Sequence, residues 1–249
     1  QFKDRKNETE YEIAFDEDEP EFEGAYTRNR LKDKETSASL DHELAVTDSI
    51  NVVVGGFYQK KNRRLAILEA EQEDVLPEST HGSWDQFKNN PTEFATAFED
   101  FEPAAGGLIR IKEDRKDVFA LIESKGSGAF KWEAGVRWEN TKVAINDATV
   151  DDDAARTTVK YDFLLPSASV KWDIGAGRFT ASVARTLRRP RFDYISPSIL
   201  EGELGDNDLL GNPQLKPETA WGGDLGYEHH IGRTGVIGVN VFYRKVKNL

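Results

Sequence analysis

Residues that could take part in chemistry are plentiful in this 249-residue sequence, but few of them stand in a recognisable spacing. The histidines are His42, His81, His229 and His230, and none of them forms a His-x-x-x-His pair of the kind that binds zinc. His229 and His230 are adjacent, so on a regular strand they point to opposite faces. Cysteine is absent, which excludes thiolate ligands and disulfides. The sequence therefore predicts no metal site and no cofactor.

Acidic residues form three clusters, Asp16–Glu19, Asp151–Asp153 and Gly205–Asp208. Carboxylate oxygens suit Ca²⁺, but the first two clusters lack the glycine-spaced geometry of a calcium-binding loop, so we interpret them as solvated loops. The third has a more turn-like spacing, and an ion there is the minor alternative to a solvated loop. No carboxylate pair is marked as a glycosidase dyad, and neither a Gly-x-Ser-x-Gly elbow nor a Walker loop occurs. These absences favour a protein that is not an enzyme.

A different kind of candidate site lies in the long stretch of about residues 62–115, which is rich in Asp, Glu and Pro. Aromatic side chains stand among its charges, and three of them are candidate ligand contacts: Trp84, Phe87 and Phe94. Such rings offer a large apolar surface to a ligand. The alternative is that they pack the loop itself.

Overall charge and hydropathy limit the possible partners. The chain has 45 acidic and 33 basic residues, a formal net charge of -12, which disfavours nucleic-acid binding because phosphate recognition needs clustered Lys and Arg. No run approaches the roughly 18 apolar residues of a transmembrane helix. A membrane is not thereby excluded, since the strands of a transmembrane barrel alternate apolar and polar residues and keep a low mean hydropathy.

Apolar and polar residues alternate with a period of two along much of the sequence, which indicates strands. In Phe130–Trp138 one face would carry Phe130, Trp132, Ala134, Val136 and Trp138, and the other face Lys131, Glu133, Gly135 and Arg137. Seven more segments are predicted as strands: Ser37–Val46, Ile50–Lys60, Asp117–Lys125, Tyr161–Ile174, Gly177–Leu187, Thr219–Ile231 and Gly235–Val246. The prediction is an all-β, antiparallel up-and-down sheet of about eight strands, or nine with one at the start.

Connections between these strands come in two sizes. Short turns of Gly, Asp and Ser lie near residues 47–49, 126–128, 175–177 and 232–235. Long connections span about 62–115, 147–158 and 190–217. Short and long alternate strictly, as do the periplasmic turns and extracellular loops of a bacterial outer-membrane barrel.

Four motifs in order carry a family resemblance: Leu164-Leu165-Pro166-Ser167, Arg185-x-x-x-Arg189-Pro190-x-Phe192, Gly211-Asn212-Pro213-x-Leu215-Lys216-Pro217-Glu218, and the strand Phe242-Tyr243 to Asn248. Together they resemble the late barrel of TonB-dependent outer-membrane receptors, most sharply over residues 160–249. The resemblance assigns structural roles to eight residues: Pro166, Arg185, Pro190, Gly211, Asn212, Pro213, Pro217 and Glu218.

This resemblance implies that residues 1–249 form part of one β-barrel of about 22 strands. Such a receptor lies in the outer membrane of a Gram-negative bacterium, in contact with its lipid. It takes up a scarce small-molecule nutrient, an iron chelate or an oligosaccharide, with energy from the TonB complex. TonB grips a plug domain, which is absent from this sequence. Neither a start methionine nor a signal peptide is present, so we expect the chain to be an internal piece of a longer protein.

Two alternatives remain. The first is a soluble all-β surface or periplasmic module that binds a ligand, which the low hydropathy and acidic charge favour. It requires the apolar strand faces to close on a water-free core. The second is a porin or a barrel enzyme without a plug, which the four motifs disfavour.

Overall fold

The computed structural model describes residues 2–3, 8–16, 19–73, 100–125, 128–150, 155–200 and 209–248. Nearly all of them are strand. The strands are β1 Phe2–Lys3, β2 Glu8–Asp16, β3 Glu19–Thr47, β4 Ile50–Glu73, β5 Glu102–Ser124, β6 Phe130–Asp147, β7 Arg156–Ile174, β8 Gly177–Arg188, β9 Ile199–Leu200, β10 Leu209–Leu210, β11 Glu218–Ile231 and β12 Gly235–Lys247. One short helix, α1, spans Phe192–Ile195. Within the described ranges no helix is long and apolar enough to cross a membrane.

One antiparallel sheet contains all of these strands except β9 and β10, which pair with each other. From β3 to β8 each strand pairs with the next in sequence, and β11 and β12 follow β8. This confirms the prediction of an all-β up-and-down sheet with eight long strands. The ninth, at the start, is formed by β1 and β2, which both pair with β3.

Short and long connections alternate as the sequence predicts, but the first long one is shorter than expected. The predicted loop at 62–115 is wrong at both ends, because β4 continues to Glu73 and β5 begins at Glu102. The two strands remain paired as far as Glu69 and Glu102, which leaves residues 74–101 as the connection. The strand ends were missed because both of their faces carry charge, which removes the hydrophobic alternation that marks a strand.

The sheet has two chemically distinct faces. We call the inner face the one that carries Asp117 and Glu139, which are opposite each other on β5 and β6, and the outer face the one that carries Val118, Trp138 and Leu164. Asp117 is 2% exposed, whereas Val118 is 55%, Trp138 42% and Leu164 54% exposed. At the height of these residues, apolar side chains therefore line the accessible face, and charged side chains are buried on the other.

A belt of apolar side chains crosses the outer face on every long strand. On β6 it extends from Phe130 to Trp138, so nine residues place five side chains outward. Aromatic residues lie at both ends of the belt and include Tyr58, Phe130, Trp138, Trp172, Trp221 and Tyr227. About nine to eleven tilted residues per strand are needed to cross a bilayer core, and the belt has this height.

The buried apolar core lies on the inner face, near the end of the sheet with the long connections. It consists of Ile109, Ile111, Val143, Ile145 and Ile195. The first four come from β5 and β6, and Ile195 is contributed by α1. The part of the chain around α1, which follows β8, is thus packed against the inner face and covers the strands there.

Candidate functional site

The segment that covers the inner face, which we call the inner strap, comprises residues 189–198. It begins directly after β8, and its second residue is Pro190, whose missing N–H prevents the strand ladder from continuing. The backbone N–H of Ser196 donates to the carbonyl of Phe192 at 2.9 Å, which closes the single turn of α1. Ile195, Ser196 and Ser198 are buried, so the strap is held by packing as well as by polar contacts.

Arg63 links the strap to two strands of the sheet. Its Nε and Nη2 donate to the carboxylate of Asp33 on β3 at 2.8 and 2.7 Å, and its Nη1 donates to Asp193 of the strap at 2.6 Å. The guanidinium also lies 5.2 Å from the ring centroid of Phe192. Burial opposes the charge on Arg63, but the two carboxylates outweigh it and raise the pKa of the side chain. The Arg63 side chain therefore keeps its positive charge over the whole pH range in which the protein is folded.

A second ion network lies deeper on the inner face, around Arg115. This guanidinium contacts Asp117, with its Nε donating at 2.8 Å, and also Glu139. Arg137 donates to Asp117 at 3.2 Å, and Arg189 of the strap donates to Glu139 at 2.6 Å. The side chains of Asp117 and Glu139 are almost completely excluded from solvent. Buried carboxylates of this kind are tolerated only when they are paired and hydrogen-bonded.

Between the two networks a cleft of about 430 Å³ opens to solvent. It is lined by strand residues and strap residues: Asp33, Lys34, Glu35, Lys61, Asn62, Arg63, Glu113, Arg189, Pro190, Arg191, Phe192 and Asp193. Glu113 is buried there, and its Oε1 accepts no hydrogen bond within the described residues and lies 3.8 Å from Lys61 Nζ. The cleft therefore offers both cationic and anionic groups to a polar ligand.

Tyr161 borders this region from β7 and packs against the apolar core. Burial raises the pKa of Tyr161 to about 12, and the nearby Glu113 adds to the shift. A phenol is protonated at physiological pH already at its ordinary pKa, and the shift extends the protonated range further. Tyr161 can therefore act as a hydrogen-bond donor at the inner face.

The segment Gly211–Glu218 contacts the strap and holds it in place. The backbone N–H of Asn212 donates to the carbonyl of Tyr194 at 2.7 Å, and the Asn212 side chain accepts from the N–H of Gln214 at 2.9 Å. Pro217 accepts a hydrogen bond from Asn248 at 3.1 Å, which ties the segment to the end of β12. Glu218 pairs with Arg188 across β11 and β8 at 3.4 Å. The family motif is thus a support for the strap.

Substitution Gly211→Ala is expected to loosen the strap, because an added Cβ would overlap the carbonyl oxygen of Ser196 and lie 3.0 Å from that of Asp193. Overpacking against backbone costs about 1–3 kcal/mol. Protease cleavage of the folded protein measures the effect, and we expect faster cleavage within residues 189–217. The control is Gly223→Ala, where the nearest atom lies 3.8 Å away, and equal cleavage of both variants would contradict the assignment.

A seam in the sheet lies beside the strap, between β7 and β8. Their ladder ends at the pair Ser167 and Ala184, although both strands continue. The next residue of β7 in that direction is Pro166, which has no N–H to donate. Arg185 bridges the seam by donating from Nη1 to the carbonyl of Leu164 at 3.2 Å. Pro166 and Arg185, both named by the family motif, therefore meet at one structural feature.

The candidate ligand-contacting residues from the sequence are not tested by the structure. Trp84, Phe87 and Phe94 lie outside the described residues, so their contact with a ligand stays a prediction. Sequence reasoning missed the Arg63 and Arg115 networks. Their only signal was the recurrence of charge at alternate positions of strands, which does not show which charges meet. In the part of the chain that the structure describes, no group of His, Asp or Glu side chains is arranged to hold a metal ion.

Comparison with known proteins decides the family. The model of the TonB dependent receptor-like β-barrel matches residues 3–249, well beyond the block 160–249 that carries the motifs. The chain belongs to the TonB-dependent receptor β-barrel family. None of the curated proteins compared with the sequence matches it.

Solved structures share the fold of this receptor barrel. The copper transporter OprC superimposes with a TM-score of 0.57 at 13% identity, and the match covers 92% of this chain and 31% of the OprC chain. An FrpB iron transporter from Neisseria meningitidis superimposes with a TM-score of 0.52 at 12% identity, and the match covers 98% of this chain and 37% of the transporter. The Serratia marcescens hemophore receptor HasR superimposes with a TM-score of 0.52 at 13% identity, and the match covers 92% of this chain and 36% of the receptor. The chain thus spans about a third of the length of these transporters and receptors.

Proposed function

We propose that this chain forms part of the barrel wall of an outer-membrane active transporter that takes up a scarce nutrient. The observation that supports the proposal best is the distribution of side chains, with an apolar belt accessible on the outer face and charge buried on the inner face. Lipid would cover the belt, and the charged face would line the interior. A soluble module would instead bury its apolar faces, as the first alternative requires.

Further strands are needed to complete the wall. Within the described residues β12 pairs only with β11, and an unpaired strand edge is not tolerated in lipid. We propose that the missing strands, and a plug domain that the TonB complex engages, belong to the rest of a longer protein. The coverage of about a third of the matched structures agrees with this.

For the nutrient we propose an iron chelate or an oligosaccharide. The structural neighbours are named as copper, iron and haem-related transporters or receptors, which supports a metal-bearing cargo. The cleft under the strap, with Lys61 and Arg63 beside Glu113, suits a ligand rich in oxygen and charge. We place further ligand contacts at Trp84, Phe87 and Phe94 in the connection 74–101.

Uptake in cells with and without TonB tests this function. The full-length protein would be expressed in a Gram-negative host that lacks its own iron-chelate receptors, and the cells given ferric chelates labelled with radioactive iron or labelled oligosaccharides. We expect one of these classes to accumulate only when both the protein and TonB are present. Accumulation independent of TonB, or recovery of the protein from a fraction other than the outer membrane, would contradict the proposal.

A further inference from the structure

Beyond the apolar belt, the outer face becomes strongly basic. The strands β3 to β7 extend past the belt towards the long connections, and their outward side chains there include twelve cations. We call this set the basic collar: Arg28, Arg30, Lys32, Lys34, Lys60, Arg64, Arg110, Lys112, Lys116, Lys142, Arg156 and Lys160. All twelve are exposed.

Acidic residues are scarce on the same surface. Among the described outward residues of 27–36, 58–70, 108–116, 140–147 and 156–162, the acids are Asp114 and Asp162. The inner face at the same height carries Asp33, Glu35, Glu113 and Asp147. Because the chain as a whole has a net charge of -12, the collar is a segregation of charge and not a reflection of composition.

Several of these cations are opposite one another in the ladder. Lys142 pairs with Lys160, and Arg64 pairs with Arg110. Like charges directly opposite across two strands are destabilising, since their Cβ atoms are about 5 Å apart. Nearby, Arg110 donates to the side-chain oxygen of Asn62 at 3.3 Å, a neutral partner that leaves the positive charge in place. An external anion that spans neighbouring strands would remove the repulsion.

The position of the collar shows which anion can reach it. Lys142 follows Trp138, the last belt residue of β6, by four residues, or about 13 Å along a strand. Lys116 is closer still, because it stands opposite Tyr58 at the edge of the belt. With the belt in the hydrocarbon core, the collar begins at the height of the lipid headgroups. It lies on the side of the long connections, which is the outer leaflet.

We propose that the basic collar binds the phosphate groups of an anionic lipid in the outer leaflet. This inference rests on the proposed function, since it takes the belt as the lipid-facing surface. Lys112, Lys142 and Lys160 lie on three adjacent strands and would contact phosphates of one headgroup with several charges. Electrostatic attraction of this kind is specific for phosphate-bearing lipid over neutral lipid and weakens with salt.

The test measures lipid binding by the full-length protein in neutral detergent micelles. The probe is lipid A, a glycolipid with two phosphates, titrated while retained lipid is counted by native mass spectrometry. The triple variant Lys112→Gln, Lys142→Gln, Lys160→Gln is expected to bind lipid A roughly 100-fold more weakly, from about a fivefold loss for each cation near an anionic surface. Dephosphorylated lipid A should bind the unchanged protein as weakly as this variant binds lipid A.

A matched variant removes three charges elsewhere. Lys125→Gln, Lys131→Gln, Lys171→Gln lies near the short turns and should bind lipid A as tightly as the unchanged protein. Equal binding by the collar variant, or equal loss in both variants, would overturn the inference. The proposed function is judged separately by TonB-dependent uptake, so a collar that fails to bind lipid A in a protein that still transports would refute the inference alone.

Discussion

An arginine placed on the outer face of the belt should destabilise the protein by about 2–4 kcal/mol, whereas the same residue one position along should not. The pair of sites is Ala168 and Ser169, near the middle of the belt on β7. Ala168 stands opposite Ala134 on the outer face, and Ser169 stands opposite Glu133 on the inner face. In Ala168→Arg the guanidinium would be forced into hydrocarbon, while in Ser169→Arg it would meet the carboxylate of Glu133.

Denaturant-induced unfolding of the full-length protein from lipid bilayers measures the difference. Both variants add the same side chain on the same strand, so the added charge and the strand propensity of the new residue are matched between them. We expect a large loss of unfolding free energy for Ala168→Arg and a loss of less than about 1 kcal/mol for Ser169→Arg. A larger loss for Ser169→Arg would mean that the two faces have been assigned the wrong way round.

Removal of Arg115 is expected to have an effect of comparable size for a different reason. Arg115→Met would leave Asp117 and Glu139 buried with fewer cationic partners. Loss of one partner from a buried ion pair costs about 3–5 kcal/mol, because the remaining charge stays desolvated. Arg137 and Arg189 still contact these carboxylates, so we expect the lower end of that range. The same unfolding measurement in bilayers would detect it.

A rescue experiment separates electrostatics from lost packing. Adding Asp117→Asn and Glu139→Gln to Arg115→Met removes the uncompensated charges, and we expect most of the stability to return. Arg188→Ala serves as the control, since its pair with Glu218 is exposed and should contribute about 0–1 kcal/mol. Failure of the triple variant to recover would show that Arg115 stabilises the protein by packing against its neighbours.

The middle of each strand was predictable because one face of it is apolar there. Alternation in Phe130–Trp138 set both the strand and its orientation, and the alternation of short and long connections set the topology. Predictability ended where the apolar belt ends. From Gln59 to Arg64 both faces of β4 are polar, so hydrophobic periodicity vanished although the ladder continued to Glu73.

The inner networks could not be predicted, because they depend on register and on distant chain segments. Arg63 and Asp33 meet because β3 and β4 pair in one register, and a slip by one residue would place them on opposite faces. Asp193 reaches Arg63 from 130 positions away, through a strap whose inward course no local pattern encodes. The motif at Pro190 predicted where β8 ends but not that the chain then covers the inner face.

The assignment of lipid to the outer face is tested most directly by spin labels placed at successive positions of β7. No cysteine occurs in these 249 residues, so each single-cysteine variant at a position from 164 to 174 carries one spin label in this part of the protein. In bilayers we expect collisions with oxygen, which dissolves in lipid, to be frequent at even positions, such as Ala168 and Val170. Collisions with a water-soluble nickel complex should be frequent at odd ones, such as Ser169 and Lys171. Uniform accessibility along the strand, or the opposite alternation, would contradict a lipid-facing belt.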